Sequence, residues 1–410
     1  MTQSLAEYFQ GAAAKELTLV DCISPASNQH EVTGSKVLIG LLDSRLRKKT
    51  GATGDERFVA TYLYLSEDDN LLSAEGYLSW YDTRENKPHR SAEWRLYYQK
   101  NEITKRMKPG DRLFVLRRNQ DRLVFFVCHQ ENDVLAALEF VFGITSEQTD
   151  SFSSRQLEPG TAASIGYLGL EILDLLGIPF RSTGEFDPAA IVAGFKGKFP
   201  DTRTFSELAR NTLPEIDPRD DPDFALMSWI DREELLFREL EREIVAKRIR
   251  EGFYTGDGKI DVDGFLGFSL SAHNRRKSRA GYALMNHFSK ILDAHEITYD
   301  AEATTEKKHA ADFLFPGEDA YRDAHFPAEK LNMLATKTTC KDRWRQVLAE
   351  ADRIQRKHLL TLQPGISVGQ TNEMLEKGLH LVIPMPIQPS YRPEQVGNLL
   401  SLRDFVSLVR

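Results

Sequence analysis

The sequence predicts two domains of different class: a mainly β domain, then an α/β domain with a mixed central sheet. Three observations carry this. At 410 residues the chain is longer than one hydrophobic core ordinarily serves. Short runs rich in Val, Leu, Tyr, Phe and Trp crowd the first third, while helical and strand periodicities alternate over the last third. Between them lies a polar stretch rich in Ser and Thr. The expected boundaries are a β-rich domain over 1–145, a linker region over 146–203 and the α/β domain over 204–410.

In the first domain the runs "KVLIGLL", "RFVATYLYL", "AEGYLSWYD", "EWRLYY", "DRLFVLRR" and "RLVFFVCH" are interrupted by Gly, Asp, Asn and Pro, the pattern of a small barrel or sandwich. "NDVLAALEFVFGI" reads as a closing helix. "TSEQTDSFSSRQLEPG" reads as a linker, and "SIGYLGLEILDLLGIP" as a short helix ending near Gly177. Its "GYLG" lacks the glycine spacing of a nucleotide fingerprint. "DDPDFALMSWIDREELLFRELEREIVAKRIREG" is a helix that Asp221 can cap, with Pro222 in its first turn and Ile230, Phe237, Leu240, Ile244 and Ile249 near helical spacing. "GDGKIDVDG" has Lys259 and Leu270 where a calcium loop needs its first and last ligands, so that motif is rejected. Then come a helix near 278–294, the strands "DFLFP" and "LNMLATK", a helix over 342–356, the strand "HLLTL", a helix over 368–377 and the strand "LHLVIP". That is α/β order.

Composition narrows the function. Apolar residues at 41% and charged residues at 28% make a globular chain rather than a disordered one. No apolar run is long enough for a membrane span, and no basic segment followed by an apolar one opens the sequence, so a cytoplasmic protein without a membrane role is expected. Cys22, Cys128 and Cys340 are far apart, which predicts neither a disulfide framework nor a zinc site. A net charge of -8 speaks against nucleic acid as a partner only weakly, because the placement of positive charge decides binding. The run "HNRRKSRAG" is dense in cations, although by itself such a run is usually a solvated face.

One stretch brings chemistry together. Asp312 opens "DFLFP", Lys337 ends "NMLATK", and Glu350 follows 13 residues later. Metal-assisted hydrolysis of a phosphodiester needs carboxylates for a divalent cation and a cationic side chain near the scissile phosphate. Adjacent strands would bring Asp312 and Lys337 together. Trp344, Val347, Leu348, Ala351 and Ile354 form an apolar stripe, placing Glu350 at the flank of a helix against the sheet. The bland alternative is an ordinary Asp–Lys ion pair with Glu350 in water.

The letters around these residues settle on one side. "RRKSRAG", "DFLFP", "KTTCKDRWRQVLAEAD" and "HLLTLQPGIS" closely resemble the catalytic domain of EcoRII-type restriction endonucleases, within the PD-(D/E)XK nuclease class. The resemblance covers roughly residues 205–385 and is strongest over 273–366. It implies a restriction-endonuclease-like fold, with Asp312 as metal-binding aspartate, Lys337 as catalytic lysine and Glu350 as a displaced acid, the last also a metal ligand. Mg2+ is the implied cofactor. Ala311 stands where the family has proline. The segment after the catalytic lysine reads bases in related enzymes, which puts forward Lys341, Asp342 and Arg343; Trp344 is expected in the core. Arg275, Arg276, Lys277 and Arg279 become expected phosphate or base contacts. One departure matters: Met285 occupies the position of a family glutamate. Either that acid is dispensable, or Asp300 or Glu302 substitutes, or the enzyme cuts poorly.

The resemblance also implies an N-terminal effector domain, a β pseudobarrel that binds DNA. Residues 1–145 match it by β content, by placement and by "DTRENKPHRSAEWR", a loop offering Arg84, Lys87, Arg90, Trp94 and Arg95 to DNA. For Trp94, base stacking and core packing stand equal. A reader of modified bases and a protein-interaction module are alternatives for this domain. The expected whole is a type II restriction endonuclease cutting double-stranded DNA at a short, C/G-rich, near-palindromic site. It would act as a homodimer, in a system with a methyltransferase it need not contact. A modification-dependent nuclease and a DNA binder with a degenerate centre are the alternatives.

Overall fold

The computed structural model describes residues 4–22, 30–34, 36–42, 56–84, 89–118, 122–144, 151–158, 165–180, 186–306, 310–340 and 343–410. It divides into two compact units, Met1–Phe180 and Arg181–Arg410.

The first unit carries β1 (Phe9–Glu16), β2 (Glu31–Thr33), helix α1 (Lys36–Leu42), β3 (Glu56–Leu65), β4 (Leu71–Asp82), β5 (Trp94–Tyr98), β6 (Arg112–Arg118), β7 (Leu123–Cys128), α2 (Val134–Phe142), β8 (Ser153–Gln156) and α3 (Tyr167–Leu175). The strands form one sheet in the order β2-β5-β4-β3-β7-β6-β1-β8. All neighbours are antiparallel except β3 and β7. Val32, Leu96, Trp80, Tyr62, Phe125, Val115 and Ala13, one from each of β2, β5, β4, β3, β7, β6 and β1, share a single buried cluster. A sheet whose neighbours all supply one core is curled, as the expected pseudobarrel requires.

"KVLIGLL" was expected as a strand and is helix α1. Leu38, Leu41 and Leu42 are buried at helical spacing, and Arg117 donates to the Leu41 carbonyl at 2.9 Å, satisfying a helix-end acceptor. A seven-residue apolar run does not distinguish the two states. The expected linker over 146–203 is divided between the units. β8 pairs with β1 and α3 neighbours α2, whereas α4 (Pro188–Val192) and the start of α5 (Thr202–Asn211) belong to the second unit.

The second unit continues with α6 (Pro222–Glu251), α7 (Val262–Ala294), β9 (Asp300–Thr304), β10 (Ala310–Phe315), α8 (Glu318–Arg322), β11 (Asn332–Lys337), α9 (Trp344–Val347), β12 (Lys357–Thr361), α10 (Val368–Glu376), β13 (Leu379–Val382), α11 (Pro393–Val396) and α12 (Leu402–Val409). Asp221 caps α6 by accepting from Phe224 N at 3.0 Å. The sheet order is β13-β12-β11-β10-β9, parallel across β13, β12 and β11 and antiparallel across β11, β10 and β9. This is the expected mixed sheet. The Phe288 ring of α7 meets Phe313 edge-on at 5.1 Å, and Phe405 of α12 lies 5.6 Å from Phe315, so both helices cover the strand that carries Asp312.

Helix α7 begins sixteen residues before the expected 278, with Asp261 accepting from Gly264 N at 2.8 Å. The basic run therefore lies inside a helix rather than ahead of one, and helical geometry divides it. Ala272, Arg276, Arg279, Ala283 and His287 follow the i, i+3, i+4 spacing of one face that turns towards the core. Arg279 is buried at 6% exposure against Glu233 at 3.2 Å and against Glu234. It is therefore an internal ion-pair partner, and the expectation that it contacts DNA is corrected. Arg276 is held by Glu241 through two guanidinium nitrogens. His287 is fully buried, 2.9 Å from Glu233, and its Nδ1 faces the Arg210 guanidinium at 3.1 Å. A guanidinium only donates, so Nδ1 accepts and the ring proton sits on Nε2 towards Glu233. Burial correspondingly holds His287 below its ordinary pKa.

Candidate active site

Strands β10 and β11 pair from Phe313 to Phe315. Beyond Phe313 the backbone ladder gives way to a side chain. Asp312 Oδ2 accepts from Thr336 N at 2.6 Å, from Thr336 Oγ1 at 3.0 Å and from Lys337 Nζ at 3.2 Å. The pair Asp312–Lys337 remains partly open, with side chains 23% and 16% exposed. Three donors on one oxygen fix the carboxylate's orientation, and Oδ1 is left for another partner.

Glu350 reaches the same centre by a different route from the one expected. Helix α9 ends at Val347, not at 356, and Glu350 lies in a bend beyond it. Ala351 has φ 52°, a left-handed conformation that stops an α-helix. Lys357 Nζ takes the Glu350 and Ala351 carbonyls at 2.5 and 3.1 Å, and Ala351 N donates to Thr305 Oγ1 at 3.4 Å. Trp344, Val347, Ala351 and Ile354 are buried as the stripe implies, and Leu348 is half-buried. For Trp344 at 0% exposure core packing is the outcome. Burial pushes the Glu350 carboxyl up to about 7; the Lys337 ammonium pulls it down and the Asp312 carboxylate pushes it up. Among the described residues its Oε2 is buried with no hydrogen-bond partner.

These groups suit a divalent cation. A buried carboxylate oxygen without a donor, raised in pKa beside a second carboxylate, is stabilised by a cation placed between them. Asp312 and Glu350 are the carboxylates present, and an ion such as magnesium takes one or two carboxylates and completes its shell with water and phosphate. The positions expected to bear on a third acid lie as follows. Met285 is half-buried on α7. Asp300 is occupied by Glu318 N at 2.7 Å, and Glu302, at the register position opposite Asp312, is exposed with φ 54°.

Of the expected base-reading residues, Arg343 is exposed, while Lys341 and Asp342 lie outside the described residues. Arg275 and Lys277 are exposed on α7, with the Arg275 guanidinium 4.5 Å from the centre of the Phe199 ring. In the first unit Arg84 and Arg95 both engage Glu93, the former at 2.5 Å, and Arg90 is exposed. Trp94 stacks on Trp80 at 5.3 Å as part of the core's margin; Lys87 lies outside the described residues. Sequence reasoning missed Thr336, which braces Asp312, and Lys357, which holds the Glu350 turn. A threonine beside a strand-end lysine gives a weak signal, and a lysine opening a strand reads as solvated.

The family described as EcoRII C terminal matches residues 237–406. The type II restriction enzyme EcoRII of Escherichia coli is 44% identical over 189 residues, 46% of this chain and 45% of that protein. The chain thus spans less than half the length of that relative. Among solved structures, a restriction endonuclease PspGI–substrate DNA complex shares 14% identity at a TM-score of 0.43, covering 52% of this chain and 92% of that one. Metal-depleted Ecl18kI with uncleaved, modified DNA shares 17% at 0.41, covering 55% and 84%. Both likenesses are too distant to carry weight. No helix among the described residues is long and apolar enough to cross a membrane. Residues 237–406, the stretch that matches the EcoRII C-terminal family, hold Asp312, Lys337 and Glu350.

Proposed function

We propose that this chain is a magnesium-dependent type II restriction endonuclease that cuts both strands of DNA at a short, C/G-rich, near-palindromic site, working in the cytoplasm as a homodimer beside a methyltransferase of matching specificity. The observation that carries the reading is the partnerless, buried Oε2 of Glu350 beside the Asp312–Lys337 pair. Asp312 and Glu350 would hold the ion. When bound, it lowers the pKa of a water and offsets charge on the scissile phosphate. Lys337 supplies a fixed ammonium that orients the nucleophile or meets developing negative charge. Thr336 keeps the aspartate from rotating, and Lys357 fixes the turn that delivers Glu350. Arg343 with Lys341 and Asp342 reads base edges. Arg84, Lys87, Arg90 and Arg95 offer the first unit's contact to a second DNA copy, and Glu93 holds two of them in position.

The test is digestion of unmethylated and methylated phage DNA with Mg2+, with and without short duplexes containing candidate sites. Discrete fragments support the endonuclease, and stimulation by added duplex supports an effector role for the first unit. Intact DNA under every condition, with binding retained in a gel shift, would replace this reading by a degenerate centre, to which Met285 points.

Glu350 gives a second readout. Its folded pKa of about 7 is above the ordinary 4.5, so the metal-free fold favours the protonated acid. That stabilisation is fully present below the ordinary value and lost as pH rises through about 7. A cation needs the carboxylate and competes with the proton. Mg2+ should therefore raise Tm clearly at about pH 8 and little at about pH 5.5. Glu350→Gln should abolish that difference; an equal Mg2+ effect at both values in the wild type would remove Glu350 from the metal site.

A further inference from the structure

Between Arg242 and Ser278 no residue is buried. The end of α6 and the start of α7 form a two-helix arm, whose α7 part from 262 to 277 runs about 24 Å. On α7 one face is used internally: Phe268 lies 5.6 Å from Phe253, and Arg276 pairs with Glu241. The opposite face carries Asp263, Leu266, Leu270, His273 and Lys277, all exposed, with Leu266 at 57% and Leu270 at 62%. Their spacing of three, four, three and four is the seam of a helix that packs on another helix. Ile260 and Val262, also exposed, extend the apolar surface at the tip.

The seam is self-complementary in one orientation only. Reversed about a two-fold axis at Leu270, Asp263 meets Lys277 of the second copy, Leu266 meets its His273 and Leu270 packs on its equivalent. Parallel pairing would set aspartate on aspartate and lysine on lysine. A DNA duplex would satisfy Lys277 but leave Leu266, Leu270 and Val262 without apolar partners. We propose that two copies of this chain associate through antiparallel pairing of the α7 arms along Asp263, Leu266, Leu270, His273 and Lys277. This deepens the homodimer proposed above, on which it rests for the number of copies, and it assigns Lys277 to the partner rather than to DNA.

Sedimentation velocity on the full chain, without DNA or divalent ion, tests this apart from cleavage. The wild type should dimerise. Leu270→Asp puts like charges on the axis and should weaken the dimer about thirtyfold or more; the position is exposed, so an unchanged melting curve is expected. Asp263→Lys and Lys277→Asp should each cost about tenfold, mixing the two should restore a heterodimer, and the double variant should recover to within about threefold of the wild type. Unchanged association in Leu270→Asp, or no recovery in the double variant, would overturn the proposal; loss of DNA affinity without loss of dimer would assign the face to DNA instead. Because neither DNA nor metal is present, a monomeric wild type that still digests DNA sinks the arm contact alone. A dimer that never cuts sinks only the endonuclease reading.

Discussion

Replacing Lys337 with alanine lowers single-turnover cleavage by about 10²- to 10³-fold or more and leaves DNA binding largely intact. The role proposed for this lysine requires that split. Its ammonium is 3.2 Å from Asp312 Oδ2, in a centre whose other acid is buried, so it acts where charge is weakly screened. In the proposed complex it would contribute one charge to a DNA contact made mostly by other cations, so losing it should cost little affinity. Arginine at 337 should rescue poorly, because a planar fork does not reproduce a compact ammonium. Binding and cleavage falling together would mean that Lys337 is a DNA contact or a structural ion-pair partner rather than a catalytic group.

The largest effect on stability should come from Arg279→Ala. It leaves Glu233, at 0% exposure, beside His287, leaves Glu234, at 1%, with Arg238, and removes the guanidinium 4.3 Å from the centre of the Phe237 ring. Breaking a buried pair from one side costs about 3–5 kcal/mol, a loss of about 10 °C in Tm for a unit of this size. The folded fraction should bind DNA with unchanged salt dependence. An unaltered Tm, with a salt slope reduced by about one phosphate contact, would restore the DNA role assigned from sequence. Thermal melts and a salt titration decide.

Much of the centre was legible because it depends on strand order and residue type. Asp312 and Lys337 flank two apolar runs that become adjacent strands, and no detail of packing could separate them far. Glu350 was identified on the wrong element. Its apolar stripe is helical, but Lys357 and Thr305 bind the backbone of the turn, and these tertiary bonds override local propensity. β1 was invisible for a related reason. "FQGAAAKE" is poor in strand formers, yet Ala12, Ala13 and Ala14 are fully buried because the sheet around them demands small side chains. The front half of α7 was missed since Gly264 and Gly267 weaken its helical signal and its apolar residues face away from any core. Arg279 was misassigned by counting charge along the chain instead of around the helix.

Helix α7 runs from its exposed tip to the strand bearing Asp312 as 33 residues without a proline, about 50 Å of continuous helix. Its last turns are clamped in the core by Leu284, Phe288 and Ile291, so it behaves as a gauge rod rather than a hinge. In the proposed dimer, held at Leu270, the separation of the two Asp312–Lys337 centres would be set in helix turns. Lengthening or shortening the rod by a heptad, together with its companion α6, would reset the offset between the two nicks while the chemistry at each stayed the same.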